Sequence, residues 1–213
     1  MKIAIPRREN IHKTGEDDPL PYYFSNIFKH VYLKRLRMVL SLLKGKKYNR
    51  MLDAGVGSGI FLLDLAKKCS CLLGMDIHSN MNLVNDMLSK ERVNASLARA
   101  DICAMPYQDN SIDCLVCLSV AEFIEDIDLA VSEMYRIVKN GGDVIIGAPV
   151  SNVVTDWLYV IAGHRNQKEK HRSSHIDIIS SLKQKFYINS IITYPYNLPL
   201  NCSLFFCVKC IRK

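Results

Sequence analysis

The sequence contains no apolar run long enough to cross a lipid bilayer. Its longest apolar stretches, at 144–150 and 157–162, are much shorter than the about 20 residues that a transmembrane helix requires. The first residues also lack the apolar core of a secretory signal peptide. We therefore expect a cytoplasmic protein that has no transmembrane segment.

Internal repeats and low-complexity segments are also absent from the sequence. Of the 213 residues, 23% are charged and 49% are hydrophobic, values that are ordinary for a globular domain with a sizeable core. We predict a single domain over residues 1–213, in which an N-terminal arm and helix occupy 1–45 and the core occupies 46–213.

Evidence for a metal site is weak, although the chain contains eight cysteines. Two pairs have the C-x-x-C spacing of zinc ligands, Cys114 with Cys117 and Cys207 with Cys210. Each pair lies in a predicted strand, where positions i and i+3 point to opposite faces of the sheet. We therefore expect reduced cysteines in the core and no metal site.

Acidic residues are missing from two long segments. None occurs from Pro19 to Leu52 and none follows Asp177, whereas the region 51–150 contains 14 acidic and 7 basic residues. The net charge of +7 is therefore concentrated in the flanks. Basic flanks favour an acidic substrate, a nucleic acid or an anionic membrane surface, and the alternative interpretation is a solvated surface.

The most informative pattern is an acid followed by three alternating glycines. A predicted strand ends at Leu52 and a predicted helix follows at 61–68. Glycines in such a turn allow the backbone to approach a ligand closely, and the helix N-terminus presents N–H groups to it. The spacing argues against a nicotinamide site, because the last position of the fingerprint G-x-G-x-x-G is Ile60 here. The residues of this pattern are Asp53, Gly55, Gly57 and Gly59.

Two further acids follow predicted strands at the spacing of an adenosine site. Asp76 ends the strand predicted at 71–76, where an acid can accept hydrogen bonds from both hydroxyls of a ribose. Asp101 follows a third short strand predicted at 95–100. Together with the glycine turn, these acids predict a crevice that binds adenosine.

With these motifs in order, the chain resembles the class I S-adenosylmethionine-dependent methyltransferases, in particular the methyltransferase type 11 group. The resemblance implies methyl transfer by in-line displacement from S-adenosylmethionine, with S-adenosylhomocysteine as the product. One departure is Phe123, which stands after Glu122 where many relatives have a histidine. The matching segments are LDAGVGSGIF at 52–61, GMDIHSNM at 74–81, ARADICAMPYQDNSIDCLVCLSVAEFIED at 98–126 and SEMYRIVKNGGDVIIGAPV at 132–150.

The resemblance also implies which residues bind the cofactor. The glycine turn would surround the methionine end, the acid after the second strand would bind the ribose, and the residues after the third strand would contact the adenine. The end of the fourth strand would lie beneath the sulfonium. The implied cofactor-binding residues are Asp53, Gly55, Gly57, Gly59, Asp76, Ile77, Asp101, Ile102, Leu118 and Ser119.

Strands and helices alternate along the core, which is typical of a parallel sheet covered on both faces. The resemblance implies an α/β, Rossmann-like fold with a seven-stranded, mostly parallel sheet in the order 3-2-1-4-5-7-6. Strand 7 would be antiparallel, with helices on both faces and an N-terminal helical arm. We predict an irregular arm at 1–19 that orders on a ligand. Further predictions are a helix at 24–44, a helix ending at Gly141-Gly142, a strand at 144–148, a helix at 176–185, and strands at 187–194 and 203–211.

Three residues are candidates for catalysis. Tyr22 lies in the N-terminal arm, and Glu122 follows the fourth strand, where it could hold a substrate hydroxyl or the cofactor's ammonium group. His175 ends a basic loop at 163–175 and could act as a base or bind an anion. For each of them, the alternative is a structural role.

The resemblance favours a small or lipid-linked acceptor, and the basic flanks favour an anionic one. The motif of amino methyltransferases that act on DNA bases or glutamine is missing, because the chain reads Leu118-Ser119-Val120-Ala121 after the fourth strand. Two alternatives are an RNA methyltransferase that uses the basic flanks and a non-catalytic scaffold that keeps the fold.

Overall fold

A computed structural model describes residues 3–16, 18–155, 170–196 and 198–213. Seven strands in this part of the chain form one sheet. A sheet of this size can bury the apolar side chains that an isolated pair of strands would leave exposed. The strands are β1 (Tyr48–Ala54), β2 (Cys69–Asp76), β3 (Ser96–Arg99), β4 (Ile112–Leu118), β5 (Val138–Pro149), β6 (Phe186–Tyr194) and β7 (Phe205–Arg212).

The order of the strands is β3-β2-β1-β4-β5-β7-β6, and it confirms the predicted Rossmann-like topology. The first five strands are parallel to one another. Strand β7 is antiparallel to both β5 and β6. All parallel strands therefore present their carboxyl ends at the same edge of the sheet, where ligands bind in folds of this type.

Two groups of buried side chains cover the two faces of the sheet, as expected for α/β proteins. In the C-x-x-C pairs, Cys114 packs in one group and Cys117 in the other, and Cys207 and Cys210 are divided in the same way. This arrangement confirms that the members of each pair point to opposite faces. The described helices are α1 (Leu20–Phe24), α2 (Lys29–Leu42), α3 (Leu62–Leu65), α4 (Met81–Lys90), α5 (Ile127–Ile137) and α6 (His175–Lys185).

None of the helices described by the structure has the length and apolar character that crossing a bilayer demands. Among the described residues, no group of three or more His, Cys, Asp or Glu side chains is arranged to hold a metal ion. The basic loop predicted at 163–175 lies in part outside the described residues, which resume at Lys170.

The single helix predicted at 24–44 is interrupted in the structure. The segment forms α1 and α2, and residues 25–28 between them form a turn. The hydroxyl oxygen of Ser25 accepts hydrogen bonds from the N–H groups of Ile27 and Phe28, at 3.2 and 3.3 Å. Serine side chains compete in this way with helical hydrogen bonding, and the helix therefore restarts at Lys29.

Two other boundaries differ from the predictions for reasons of geometry. The helix predicted at 61–68 is a single turn, α3, followed by a 3-10 turn at Ala66–Lys68, because β2 begins directly afterwards. Helix α5 ends at Ile137, and β5 starts before the two glycines where the helix was expected to end. The register with β4 shifts between the pairs Ile112–Val138 and Cys114–Asp143, and a bulge accommodates the extra residues.

The N-terminal segment is irregular but closely attached to the core. Ile3 and Ile11 are buried in the apolar group on the α2 side of the sheet. The carboxylate of Asp64 accepts a hydrogen bond from the Ala4 N–H at 2.9 Å, and the Asn80 side chain donates to the Thr14 carbonyl at 2.8 Å. The segment thus reaches the carboxyl-end edge of the sheet, where Thr14 and the following residues form part of a cavity wall.

A buried ion cluster joins the strands near the opposite edge. Asp143 is fully buried, and its Oδ2 accepts hydrogen bonds from Lys46, Lys209 and the Tyr48 hydroxyl at 2.9, 2.9 and 2.5 Å. Burial alone would raise the pKa of Asp143, but hydrogen bonds from these three donors outweigh it and the pKa is lowered. The cluster therefore holds a carboxylate charge inside the protein.

Replacing Asp143 by asparagine should destabilise the protein by about 3 kcal/mol, because Lys209 would remain buried without its counter-charge. Urea denaturation at pH 7 measures the difference. Asp86→Asn is the matched control, since it removes a half-exposed ion pair with Lys90 that contributes about 0.5 kcal/mol or less. Equal losses in the two variants would contradict the importance of the buried cluster.

Candidate functional site

A cavity of about 440 Å³ opens at the carboxyl ends of β1, β2 and β4. Its volume is in the range of pockets that bind small molecules and cofactors. One wall consists of the loops that follow these three strands, and the other consists of α2 and the N-terminal segment. The cavity therefore lies at the edge of the sheet where the adenosine crevice was predicted.

The three glycines after β1 have positive φ angles but different surroundings. A Cβ atom on Gly55 would lie 2.1 Å from Val120, and one on Gly59 would lie 2.7 Å from Val84 and Met87. A Cβ on Gly57 would meet no atom within 4 Å. Gly55 and Gly57 line the cavity, whereas Gly59 is needed for close packing of the turn against α4.

The carboxylate of Asp76 fixes the glycine turn to the end of β2. Its Oδ2 accepts a hydrogen bond from the Gly57 N–H at 2.8 Å, and its Oδ1 accepts one from the Ile77 N–H at 2.8 Å. The Nε2 of His78 lies 3.0 Å from the Gly57 carbonyl, and its Nδ1 accepts from the Asn80 N–H. These contacts suit the tautomer in which Nε2–H donates to the turn.

Asp53 is almost fully buried and faces the cavity at the end of β1. Burial raises the pKa of its carboxyl well above the usual range, and the nearby negative charge of Asp76 raises it further. No described residue donates a hydrogen bond to this carboxylate. The site thus holds an acid whose ionised form is favoured by a cationic ligand.

The opposite wall is basic and aromatic. The guanidinium group of Arg35 donates to the Ser119 hydroxyl at 3.1 Å and to the Tyr23 hydroxyl at 3.5 Å. It lies 4.0 Å from the ring centroid of Tyr32 and 5.5 Å from that of Phe205. Helix α2 is therefore attached through Arg35 to the end of β4 and to β7.

Seven of the ten residues predicted to bind a cofactor line the cavity. The three that do not line the cavity are Gly59, Asp101 and Ile102. Asp101 lies in the loop after β3 and accepts a hydrogen bond from the Cys103 N–H at 2.8 Å, while Ile102 is buried in the core. The seven predicted residues that line the cavity are Asp53, Gly55, Gly57, Asp76, Ile77, Leu118 and Ser119.

The three catalytic candidates are not among the residues that line the cavity. Tyr22 stacks on Tyr32 at 4.9 Å between ring centroids. His175 is buried, its Nδ1 accepts from the Ser151 N–H at 3.3 Å, and its Nε2 lies 3.0 Å from the side-chain oxygen of Asn201. Both ring nitrogens of this histidine are thus engaged within the protein.

Glu122 is flanked in sequence by two residues that line the cavity, Val120 and Phe123. The side chain is buried, and its Oε2 has no hydrogen-bond partner among the described residues. Burial raises the pKa of this carboxyl to about 7, against a smaller lowering effect of its own backbone N–H and of Arg35. Glu122 can therefore exchange a proton near neutral pH.

Several residues of the cavity could not be assigned from their local sequence. Arg35 comes from a region whose basic residues indicated only a charged helix. Thr14, Glu16 and Asp18 lie in the irregular arm. Their positions depend on contacts between residues that are far apart in sequence, and the acid-free composition of 19–52 was the one available signal.

Comparison with known proteins agrees with the motifs and the geometry. A family model described as "Methyltransferase domain" matches residues 52–146. This range contains the glycine turn, Asp76 and the whole of β4. The segment 52–146 is thus similar to the methyltransferase domain family.

Two curated relatives that the chain matches have quinone-related names. A demethylmenaquinone methyltransferase of Bacteroides fragilis is 30% identical over 115 residues, which is 52% of this chain and 47% of the relative. A ubiquinone/menaquinone biosynthesis C-methyltransferase of Saccharophagus degradans is 32% identical over 108 residues, covering 46% and 42%. The chain thus spans about half the length of the curated relatives it matches.

The fold of the chain is also found in solved structures at low sequence identity. A geranyl diphosphate C-methyltransferase from Streptomyces coelicolor superposes with a TM-score of 0.71 at 12% identity, covering 99% of this chain and 90% of that structure. That structure contains S-adenosyl-L-homocysteine. At this identity the likeness concerns the architecture alone.

Substitution by alanine should lower the stability of the protein by different amounts at Gly57 and at Gly59. Gly59→Ala should lose about 2 kcal/mol more stability than Gly57→Ala, because its Cβ meets Val84 and Met87, whereas Gly57→Ala has only the strain of its φ of 50°. Urea denaturation of both variants tests this. A larger loss for Gly57→Ala would show that the packing described for the turn is wrong.

Glu122→Gln should change how stability depends on pH. Because the folded pKa of about 7 is above the unfolded value, the glutamate's contribution to stability is greatest below about pH 4.5 and falls as the pH rises to about 7. We therefore compare the free energy of unfolding of Glu122→Gln with that of the wild type at pH 5 and at pH 8. Between these two pH values, the difference should shift in favour of the variant by up to about 3 kcal/mol. Glu125→Gln, at an exposed position, is the control and should show no such pH dependence.

Proposed function

We propose that this protein is a methyltransferase that transfers a methyl group from S-adenosylmethionine to a small quinol-type acceptor. The observation that carries the proposal is the convergence of the glycine turn and Asp76 on one cavity, within the segment matched by the methyltransferase family model. The acceptor class rests on the names of the two curated relatives.

The residues that line the cavity suit the parts of the cofactor. Asp76 can accept hydrogen bonds from the ribose hydroxyls, and the backbone at Gly55 and Gly57 permits close approach. Asp53 would pair with the ammonium group, whose positive charge favours the ionised carboxylate. Asp101 and Ile102 do not line the cavity, and in this proposal the adenine would extend beyond it to the loop after β3.

When bound, the cofactor supplies an activated methyl group, and the protein's part is to position the acceptor and exclude water. The end of β4 at Leu118 and Ser119 would lie beneath the reacting centre. Phe123 offers an apolar surface for a ring, and Glu122 behind it can hold or accept a proton because its pKa is about 7. Tyr22 and His175 would support this arrangement from the surrounding structure.

Calorimetric titration with S-adenosylmethionine and S-adenosylhomocysteine tests the cofactor half of the proposal. We expect both to bind with micromolar affinity and Asp76→Ala to weaken binding at least about 30-fold, because charged hydrogen bonds contribute about 2 kcal/mol or more. Asp86→Ala, an exposed acid on α4, is the control. Unchanged affinity in Asp76→Ala would contradict the assignment of the ribose acid.

Transfer of a labelled methyl group to 1,4-naphthohydroquinone tests the acceptor half. We expect a methylated product whose formation stops when S-adenosylhomocysteine is added in excess. Cofactor binding without transfer to this or to substituted naphthohydroquinones would exclude the quinol class. The methyltransferase assignment would stand in that case, and the acceptor would have to be sought among other small molecules.

A further inference from the structure

The charges on the cavity wall are unequally divided. Four carboxyl groups line it, and among the described lining residues Arg35 is the one side chain of the Lys or Arg type. The cofactor carries two positive charges, on its sulfonium and ammonium groups, and one negative charge, on its carboxylate. The four acids are Glu16, Asp18, Asp53 and Asp76.

Arg35 is held in a fixed position by neighbours from three parts of the fold. It donates to Ser119 at the end of β4 and to Tyr23 in α1, at 3.1 and 3.5 Å. The ring of Tyr32 lies against its guanidinium plane at 4.0 Å from the centroid. A guanidinium group held in this way is suited to a planar carboxylate, which it can bind with two parallel hydrogen bonds.

Arg35 and Asp53 act on the same region of the cavity. The Tyr23 hydroxyl is fully buried, and burial raises its pKa; the charge of Arg35 acts to lower that pKa, while Asp18 and Asp53 act to raise it. Tyr23 therefore lies near both the cation of Arg35 and the acids Asp18 and Asp53. This is the charge arrangement that complements an α-amino acid.

We propose that Arg35 binds the carboxylate of the amino-acid part of the cofactor, opposite Asp53, which binds its ammonium group. The proposal rests on the proposed cofactor and extends it to a helix that lies outside the matched range 52–146. Helix α2 then has a specific part in binding, since it carries the counter-charge for the one anionic group of the ligand.

The test compares two ligands that differ in the amino-acid part. S-adenosylhomocysteine has it, and 5′-methylthioadenosine lacks both the carboxylate and the ammonium group. Arg35→Gln should weaken the binding of S-adenosylhomocysteine about 10- to 100-fold in calorimetry and leave the affinity for 5′-methylthioadenosine within twofold. The affinity of Arg35→Lys for S-adenosylhomocysteine should lie between those of the wild type and Arg35→Gln, because lysine keeps the charge and loses the planar geometry.

Arg37→Gln is the matched control, since Arg37 lies two positions further along α2 and does not line the cavity. It should bind both ligands as the wild type does. Thermal denaturation of each variant checks the fold, and retained binding of 5′-methylthioadenosine shows that the adenosine part of the site is intact.

Three results would overturn the proposal. Equal weakening of both ligands in Arg35→Gln would show that Arg35 only supports the structure of the wall. Unchanged binding of S-adenosylhomocysteine with a raised KM for the acceptor would assign Arg35 to the acceptor. A wild-type protein that binds neither ligand would overturn the proposed function itself, and so the two failures are distinguishable.

Discussion

The parallel pairing of β1 with β2 and β4 is the constraint on which the site depends. Asp53 pairs in register with Gly74 on one side and Val116 on the other, and so the three strands end within a few residues of one another. Each strand is followed by a loop that must turn at the same edge. The hydrogen bond from Gly57 to Asp76 then joins two of these loops, and the ends of the strands become one wall of a cavity.

The second wall depends on segments that lie outside the parallel core. Arg35 connects α2 to β4 and packs against Phe205 of β7, and Asn80 fixes the N-terminal segment beside the glycine turn. Basic residues of the flanks are used in similar structural contacts elsewhere. Lys34 lies 4.2 Å from the ring centroid of Tyr196, and Lys46 and Lys209 both pair with Asp143. The excess of positive charge in the flanks is therefore partly internal to the fold.

Local patterns predicted a parallel sheet, because strands and helices alternate along the core and a glycine turn directly follows a buried strand. The strand order, including the antiparallel β7, was predicted from the resemblance to a known family and not from these patterns. Boundaries were less predictable where long-range pairing decides them. The two glycines within β5 are tolerated because a bulge opposite β4 accommodates them, and no local pattern indicates that register.

The candidate site was also predictable where local sequence determines it and unpredictable where long-range packing does. Residues that directly follow the strands, such as Asp53 and Asp76, could be placed because the ends of parallel strands meet. Arg35 could not, since its position depends on how an amphipathic helix packs, and neither spacing nor composition fixes that packing. Asp101 shows the converse case, because its loop is correctly placed after β3 while its side chain bonds to its own loop.

The buried carboxyl groups at the two edges of the sheet differ in how fully they are satisfied. Asp143, away from the cavity, has three donors, and these lower its pKa despite burial. Asp53, which lines the cavity, is also buried, and burial raises its pKa. An ionised group without donors costs several kcal/mol, and a stable core alone would therefore favour the arrangement around Asp143. In the proposed function, the ammonium group of the cofactor would pair with Asp53, and this cation would favour the ionised form that burial disfavours.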